Sequence, residues 1–310
     1  MRMYTRALAL ALMLTLGLAV SVSAGEGRVI AAGDGNLSFD RALTAALEAG
    51  EPVTIKLGQD VVRTAPIHIV GGQDITIDLG GNTLEIVVSD VTDNALFVNN
   101  ASSLTVTGGG LFSVVASNLG QFGSAVLVHN ESSLMVDGAS RFDVVAADVT
   151  NALDVSGGSM VYVSEESLMS VSNVRQDGAP FGIDSTRGIR ALQSAVTIRG
   201  DVSVSGVYAL GIRSRNGTVT VYGNITAQGQ DSAGVYISNP AGRPHLVENN
   251  SITVHGNVTA TSPNRRVIVQ VADHPWAELT VGTPSISIDD HTYRVMRTRT
   301  GSVVRRAPAR

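Results

Sequence analysis

The chain copies itself at a fixed step of 23 residues. Gly188-Ile189-Arg190 returns as Gly211-Ile212-Arg213 and again as Gly234-Val235-Tyr236. In phase with it, Val196-Thr197-Ile198-Arg199-Gly200 returns as Val219-Thr220-Val221-Tyr222-Gly223. A third copy of this second element, Ile252-Thr253-Val254-His255-Gly256, arrives ten residues late. The delay falls in 240–250, which holds Pro240, Gly242 and Pro244 and reads as a loop. A period of twenty-odd residues that tolerates loop insertions marks a solenoid in which each repeat is one coil. Within each copy Val and Ile alternate with polar residues, which is the period of a strand. Three short strands per coil predict an all-β parallel β-helix.

The first 24 residues are expected to stand apart from that fold. Arg2 and Arg6, an apolar run over 7–20 and the small-residue ending Val22-Ser23-Ala24 have the pattern of a secretory signal peptide. A run of roughly 14 apolar residues is short for a membrane span, and no other run approaches ~18. The chain beyond the leader is therefore expected to be secreted, with no membrane span. Charge bears on its partners. The sequence carries 22 Lys and Arg against 27 Asp and Glu, and loss of the two leader arginines takes the net charge from −5 to about −7. Nucleic-acid binding relies on neutralising phosphates and is disfavoured here. With no cysteine in the chain, stability must come from core and hydrogen-bond ladder, and thiolate zinc sites are excluded.

The remaining organisation is read as an N-terminal cap at 25–50, a β-helix at 51–290 and an Arg-rich tail at 291–310. Phe39, Ala42, Leu43, Ala46 and Leu47 recur at helical spacing, with Ser38 placed to cap the start and Gly50 to end it. An exposed coil end would present apolar side chains and unpaired strand backbone, so this helix is expected to cover the first coil. Strands of that coil are expected at 53–57, 67–69 and 75–79. The tail holds six arginines and no acid, and is expected to be a partly disordered end with a short capping strand over 292–296.

Later coils align by hand. One strand position gives Leu96-Phe97-Val98-Asn99, Val126-Leu127-Val128-His129, Leu153-Asp154-Val155-Ser156, Ile189-Arg190-Ala191-Leu192, Ile212-Arg213-Ser214-Arg215 and Val235-Tyr236-Ile237-Ser238. The next gives Leu104-Thr105-Val106, Leu134-Met135-Val136 and Val161-Tyr162-Val163, then the copies named above and Leu279-Thr280-Val281. Alternation puts the first and third residue of each set inside and the second outside. Asn99-Asn100, Asn130 and Asn239 end strands where a turn is needed, and Asn tolerates left-handed backbone.

An amphipathic helix followed by "ITIDLGGNTL" (75–84), and later by "TVTVYGNITAQG" (218–229) and "SITVHGNVTATS" (251–262), resembles the pectin-lyase-like β-helix proteins of the secreted or cell-surface, adhesin-like type. The likeness spans roughly residues 36–290. It implies a right-handed, single-stranded parallel β-helix, the hand that crossover connections between parallel strands also favour. It says little of activity, because the same architecture hosts lyases, hydrolases, adhesins and tail proteins.

The alignment gathers scattered residues into outward columns. One runs Phe97, Leu127, Asp154, Arg190, Arg213, Tyr236; its neighbour runs Asn99, His129, Ser156, Leu192, Arg215, Ser238. Coils lie about 4.8 Å apart, so Asp154 can pair with Arg190, while Arg190 and Arg213 repel unless an anion joins them. Stacked arginines beside an aromatic ring suit a sugar acid or sulfated sugar, since guanidinium grips carboxylate in a bidentate way. The plainer account is a solvated face with one surface ion pair worth under ~1 kcal/mol. Of the histidines, only His129 is placed on this face.

Enzymes of the resembled group imply more: clustered acids holding calcium with a basic residue in lyases, close aspartates in hydrolases. Asp154 is the only acid in its column, Asp137 and Asp148 fall elsewhere, and Asp289 and Asp290 point opposite ways along a strand. No carboxylate pair can be placed at the separation glycoside hydrolysis requires. Calcium enters only under the lyase alternative, with ligands drawn from loops such as Ser89 to Asp93; otherwise no metal or cofactor is expected. The expected function is non-enzymatic binding of extracellular polysaccharide or a cell-surface component through Phe97, His129, Asp154, Arg190, Arg213, Arg215 and Tyr236. A polysaccharide lyase or glycoside hydrolase is the alternative, and a passive spacer a third reading.

Overall fold

The computed structural model describes residues 27–33, 35, 37–120, 123–175, 185–206, 208–229, 232–237, 250–261, 269–271, 277–281, 285–288, 291–298 and 301–306. The leader expected at 1–24, Ser238, Asn239, His245, His274, Asp289 and Asp290 lie outside them. The chain winds as a parallel β-helix with three sheets. One circuit passes through the first sheet at Val53–Leu57, the second at Val61–Arg63 and the third at Ile67–Val70, then re-enters the first at Asp74–Asp78. Eight such circuits follow one another among the described residues, and a ninth reaches the second sheet at Ser285–Ile288.

The repeat and the coil are the same object. Val196 stands opposite Val219, and Val219 opposite Ile252, in parallel register. The delayed third copy is therefore a coil enlarged between its third-sheet strand, Ala233–Ile237, and the next first-sheet strand, Asn250–Val254. Like residues stack on like inside. Ile55, Ile77, Val106, Val136 and Val163 form one inward column, each with no exposed surface. Phe112 and Phe142 stack in the second sheet with ring centroids 4.8 Å apart. Full burial of each such side chain contributes about 1.5–3 kcal/mol, so the column distributes stability along the axis.

Gly188, Gly211 and Gly234, the residues that open each copy, have a packing reason. They are buried where the third sheet closes on the second. A Cβ on Gly211 would fall 2.4 Å from Ile225 Cγ2, and one on Gly234 2.3 Å from Val258 Cγ1. Turns from the third sheet to the first use left-handed backbone at Asn100 and Ala101 and at Asn130 and Glu131, as the asparagines predict. Behind these turns a buried serine series satisfies the backbone. Ser132 Oγ accepts from Ser102 N at 3.3 Å, and Ser159 Oγ from Ser132 N at 3.2 Å.

Both ends are covered. The helix Phe39–Leu47 starts at Ser38, whose side chain accepts from Arg41 N, and buries Phe39, Ala42, Leu43 and Ala46. The cap also holds a strand that periodicity did not indicate: Arg28–Ala32 pairs in parallel with Val53–Leu57 and forms the edge of the first sheet. At the other end, the capping strand expected over 292–296 is present. His291–Thr298 pairs antiparallel with Ser285–Ile288, and Gly301–Arg306 pairs antiparallel with His291–Thr298. The capping strand is longer than expected, and the arginine-rich segment folds back on it as a hairpin.

Candidate functional site

The third sheet carries the candidate face, and its register is the one the alignment predicts. Phe97 stands opposite Leu127, Leu127 opposite Asp154, Asp154 opposite Arg190, Arg190 opposite Arg213 and Arg213 opposite Tyr236. The neighbouring column runs through Ser156, Leu192 and Arg215. His129 joins it by a contact of 2.9 Å between its Nδ1 and Ser156 Oγ. All seven candidate residues thus share one face. The column also begins earlier than expected. His68 stands opposite Phe97, and the two rings meet edge to face at 5.8 Å. His129 is therefore not the only histidine on this face.

Asp154 departs from the plainer account. Its position points outward, yet the residue is 5% exposed, and every residue of its strand, Asn151–Ser156, is buried. Arg190 Nη1 donates to both of its carboxylate oxygens, at 2.9 and 2.7 Å. Asn151 Nδ2 donates to Asp154 Oδ2 at 3.3 Å, and Asn151 Oδ1 accepts from Arg187 Nη1 at 3.1 Å. The pair is therefore not a solvated surface ion pair. It is one end of a linked row, Arg190–Asp154–Asn151–Arg187. Loss of water pushes the Asp154 carboxyl above the usual range; Arg190, Arg187 and His129 pull it down and do not prevail.

Arg187 was not singled out from the sequence. It lies one residue ahead of Gly188, opposite Asn151, where no outward column was drawn. With it the face gathers four guanidiniums: Arg187, Arg190, Arg213 and Arg215. Arg213 lies 5.9 Å from the Tyr236 ring centroid, within cation–π range. Burial, and then Arg190 beside it, push the Arg213 guanidinium down from its usual value; it stays a cation, as arginine does. Its Nε is buried and has no hydrogen-bond partner among the described residues. The face is thus divided along the axis, with His68, Phe97 and Leu127 on the early coils and the arginines and Tyr236 on the later ones.

Other outward groups serve packing between coils. Tyr222 and His255 stack at 4.3 Å, and Arg199 covers the other face of Tyr222 at 4.1 Å while reaching Glu165. The "VHGN" at 254–257 is thereby accounted for by the repeat. The threonine column runs through Thr54, Thr76 and Thr105, is broken by Met135 and Tyr162, and resumes at Thr197 and Thr220.

The loop considered for calcium does not gather a ligand set. Asp93 Oδ1 accepts from Asn94 N and Nδ2, and Asp93 Oδ2 lies 3.4 Å from His68 Nε2. Among the described residues no three His, Asp or Glu side chains converge on a point that could hold a metal. No helix among them is long and apolar enough to cross a membrane. The resemblance drawn from the sequence is met at the level of architecture, a parallel β-helix. Compared with known proteins, the chain matches no protein-family model, no curated protein and no solved structure.

Proposed function

We propose that this chain is a secreted or cell-surface β-helix protein that binds an acidic polysaccharide, or a similar anionic surface component, on its third sheet without cleaving it. One observation carries the reading: Arg190 and Arg213 stand side by side on neighbouring strands of the third sheet, with Arg187 and Arg215 on the same face and Asp154 bonded to Arg190. Guanidiniums on strands about 4.8 Å apart repel one another, and a carboxylate or sulfate between them turns that repulsion into charge-assisted hydrogen bonds. Tyr236 supplies an amphipathic ring at the end of the row, suited to the apolar face of a sugar. The leader pattern at 1–24 supports secretion.

The competing reading is a lyase or hydrolase of the pectin-lyase-like group. The upward shift of the Asp154 pKa favours the hydrolase form of it, since a general acid works with a raised pKa. Asp154 has no second carboxylate beside it among the contacts described, which favours binding over cleavage. The test is to mix the chain from residue 25 onward with acidic and neutral polysaccharides, with and without calcium, and to read both retention and product size by mass spectrometry. Acidic chains are expected to be retained intact, and Arg213→Ala to weaken retention about tenfold, the scale of one charge-assisted contact. Shortened chains with unsaturated ends would establish a lyase. Neither retention nor cleavage would leave a structural spacer.

A further inference from the structure

We infer that Asp154 is a built-in competitor for the ligand's acid group: it occupies Arg190 until an anion takes that guanidinium over. The inference rests on the reading of this face as an anion site and names the residue that sets its strength. Arg190 Nη1 touches both oxygens of Asp154, the contact it would otherwise make with a ligand carboxylate or sulfate. The two partners differ in freedom. Asp154 is held from behind by Asn151, while the Arg190 side chain keeps 27% of its surface exposed and can turn toward an arriving anion. Arg213, next in the column, has no carboxylate contact among the described residues, and its Nε has no hydrogen-bond partner among them.

An anion bridging Arg213 and Arg190 must therefore share Arg190 with a carboxylate of like charge. Neutralising Asp154 removes that repulsion and releases the guanidinium. Acid does so, and because burial raises the Asp154 pKa the release comes at milder acidity than for an ordinary aspartate. The charged and titratable groups described as facing Asp154 are Arg190, Arg187, Arg213 and His129, with Asn151 hydrogen-bonded to it.

The probe is dextran sulfate, whose sulfates stay ionised across the range, titrated into the full chain from pH 7.5 down to the ordinary aspartate range at about 4. Wild type is expected to bind more tightly as the pH falls. Asp154→Asn is expected to bind about tenfold more tightly at pH 7.5, the scale of one freed charged hydrogen bond, and to lose most of the pH dependence. His129→Gln, which removes the other ionisable neighbour, is expected to keep it. Circular dichroism confirms that each variant folds, and the wild-type pH series needs no variant. If wild type binds but shows no pH dependence, or if folded Asp154→Asn binds no better, Asp154 is a mere anchor for Arg190 and the inference fails while the anion face stands. If wild type, Asp154→Asn and His129→Gln all ignore dextran sulfate at every pH, the reading of the face falls as well.

Discussion

At the scale of the residue, the Asp154–Arg190 pair is unequal, and its two ends should behave differently when cut. Removing Arg190 leaves a carboxylate 5% exposed without its principal partner, and breaking a buried pair in this way costs about 3 kcal/mol. Asp154→Asn instead leaves a cation that reaches solvent, so it should cost under about 1 kcal/mol. Urea denaturation of Arg190→Ala and Asp154→Asn at neutral pH checks the order. The pH dependence follows from the direction of the shift. Since the folded chain raises the Asp154 pKa, it holds that proton more tightly than the unfolded chain. The stabilising contribution is complete below the unfolded value and is lost as the pH rises through the folded one. Wild type should therefore gain stability relative to Asp154→Asn as the pH falls through the folded value toward the unfolded one. The columns themselves could be read from the sequence, because alternation fixes which side of a strand a residue faces. Alternation does not say what covers that side. The contacts that bury Asp154 come from Arg190, 36 residues on, and Asn151, three residues back.

At the scale of the element, the strands were legible wherever the coil keeps its 23-residue step and harder to read where it does not. Leu153 lies opposite Ile189, a 36-residue step, yet the apolar pairs flanking the outward residue, Leu153 with Ile189 and Val155 with Ala191, held the register. His68 was missed on the face because the column was drawn only from Leu96 onward, although Ile67 stands opposite Leu96. Arg28–Ala32 lacked a signal of its own, being five residues beside the expected leader, and it pairs along the edge that Val53–Leu57 offers. The repeated glycine is the element's most constrained position. A methyl group on Gly211 would press on Ile225 Cγ2 and on the Gly234 carbonyl, both at 2.4 Å. A backbone neighbour cannot rotate away, so the third sheet must shift. Gly211→Ala should cost about 1–3 kcal/mol, as overpacking does. Thr220→Ala, at a half-exposed outward position on the next strand, should stay within about 0.5 kcal/mol. Thermal denaturation of the two variants distinguishes a packing role for the glycine from a mere preference of the repeat.

At the scale of the whole molecule, the coils form a line in which each touches its neighbours, and the ends are the weak points. Stability in such a chain is a sum of coil and interface contributions, so damage at one end should fray the nearest coils before it reaches the face that carries the arginines. The helix Phe39–Leu47 lies over Arg28–Ala32 and Val53–Leu57, and Leu43 is among its buried residues. Leu43→Asp places a charge there and should detach the helix, since an unpaired buried charge is not tolerated. Two consequences follow from the geometry. Hydrogen exchange should accelerate over 53–79, while the strands at 189–192 and 212–215 keep their protection, because more than four coils separate them from the lost cap. The bared end also exposes apolar side chains and strand backbone that a second molecule can cover, so size-exclusion chromatography should show higher oligomers that wild type lacks. Binding of an acidic polysaccharide should survive in the same variant, since Arg187, Arg190, Arg213 and Arg215 all lie on coils far from the cap. Uniform loss of protection along the chain would show instead that the coils fold as one cooperative unit, and that the cap governs the binding face after all.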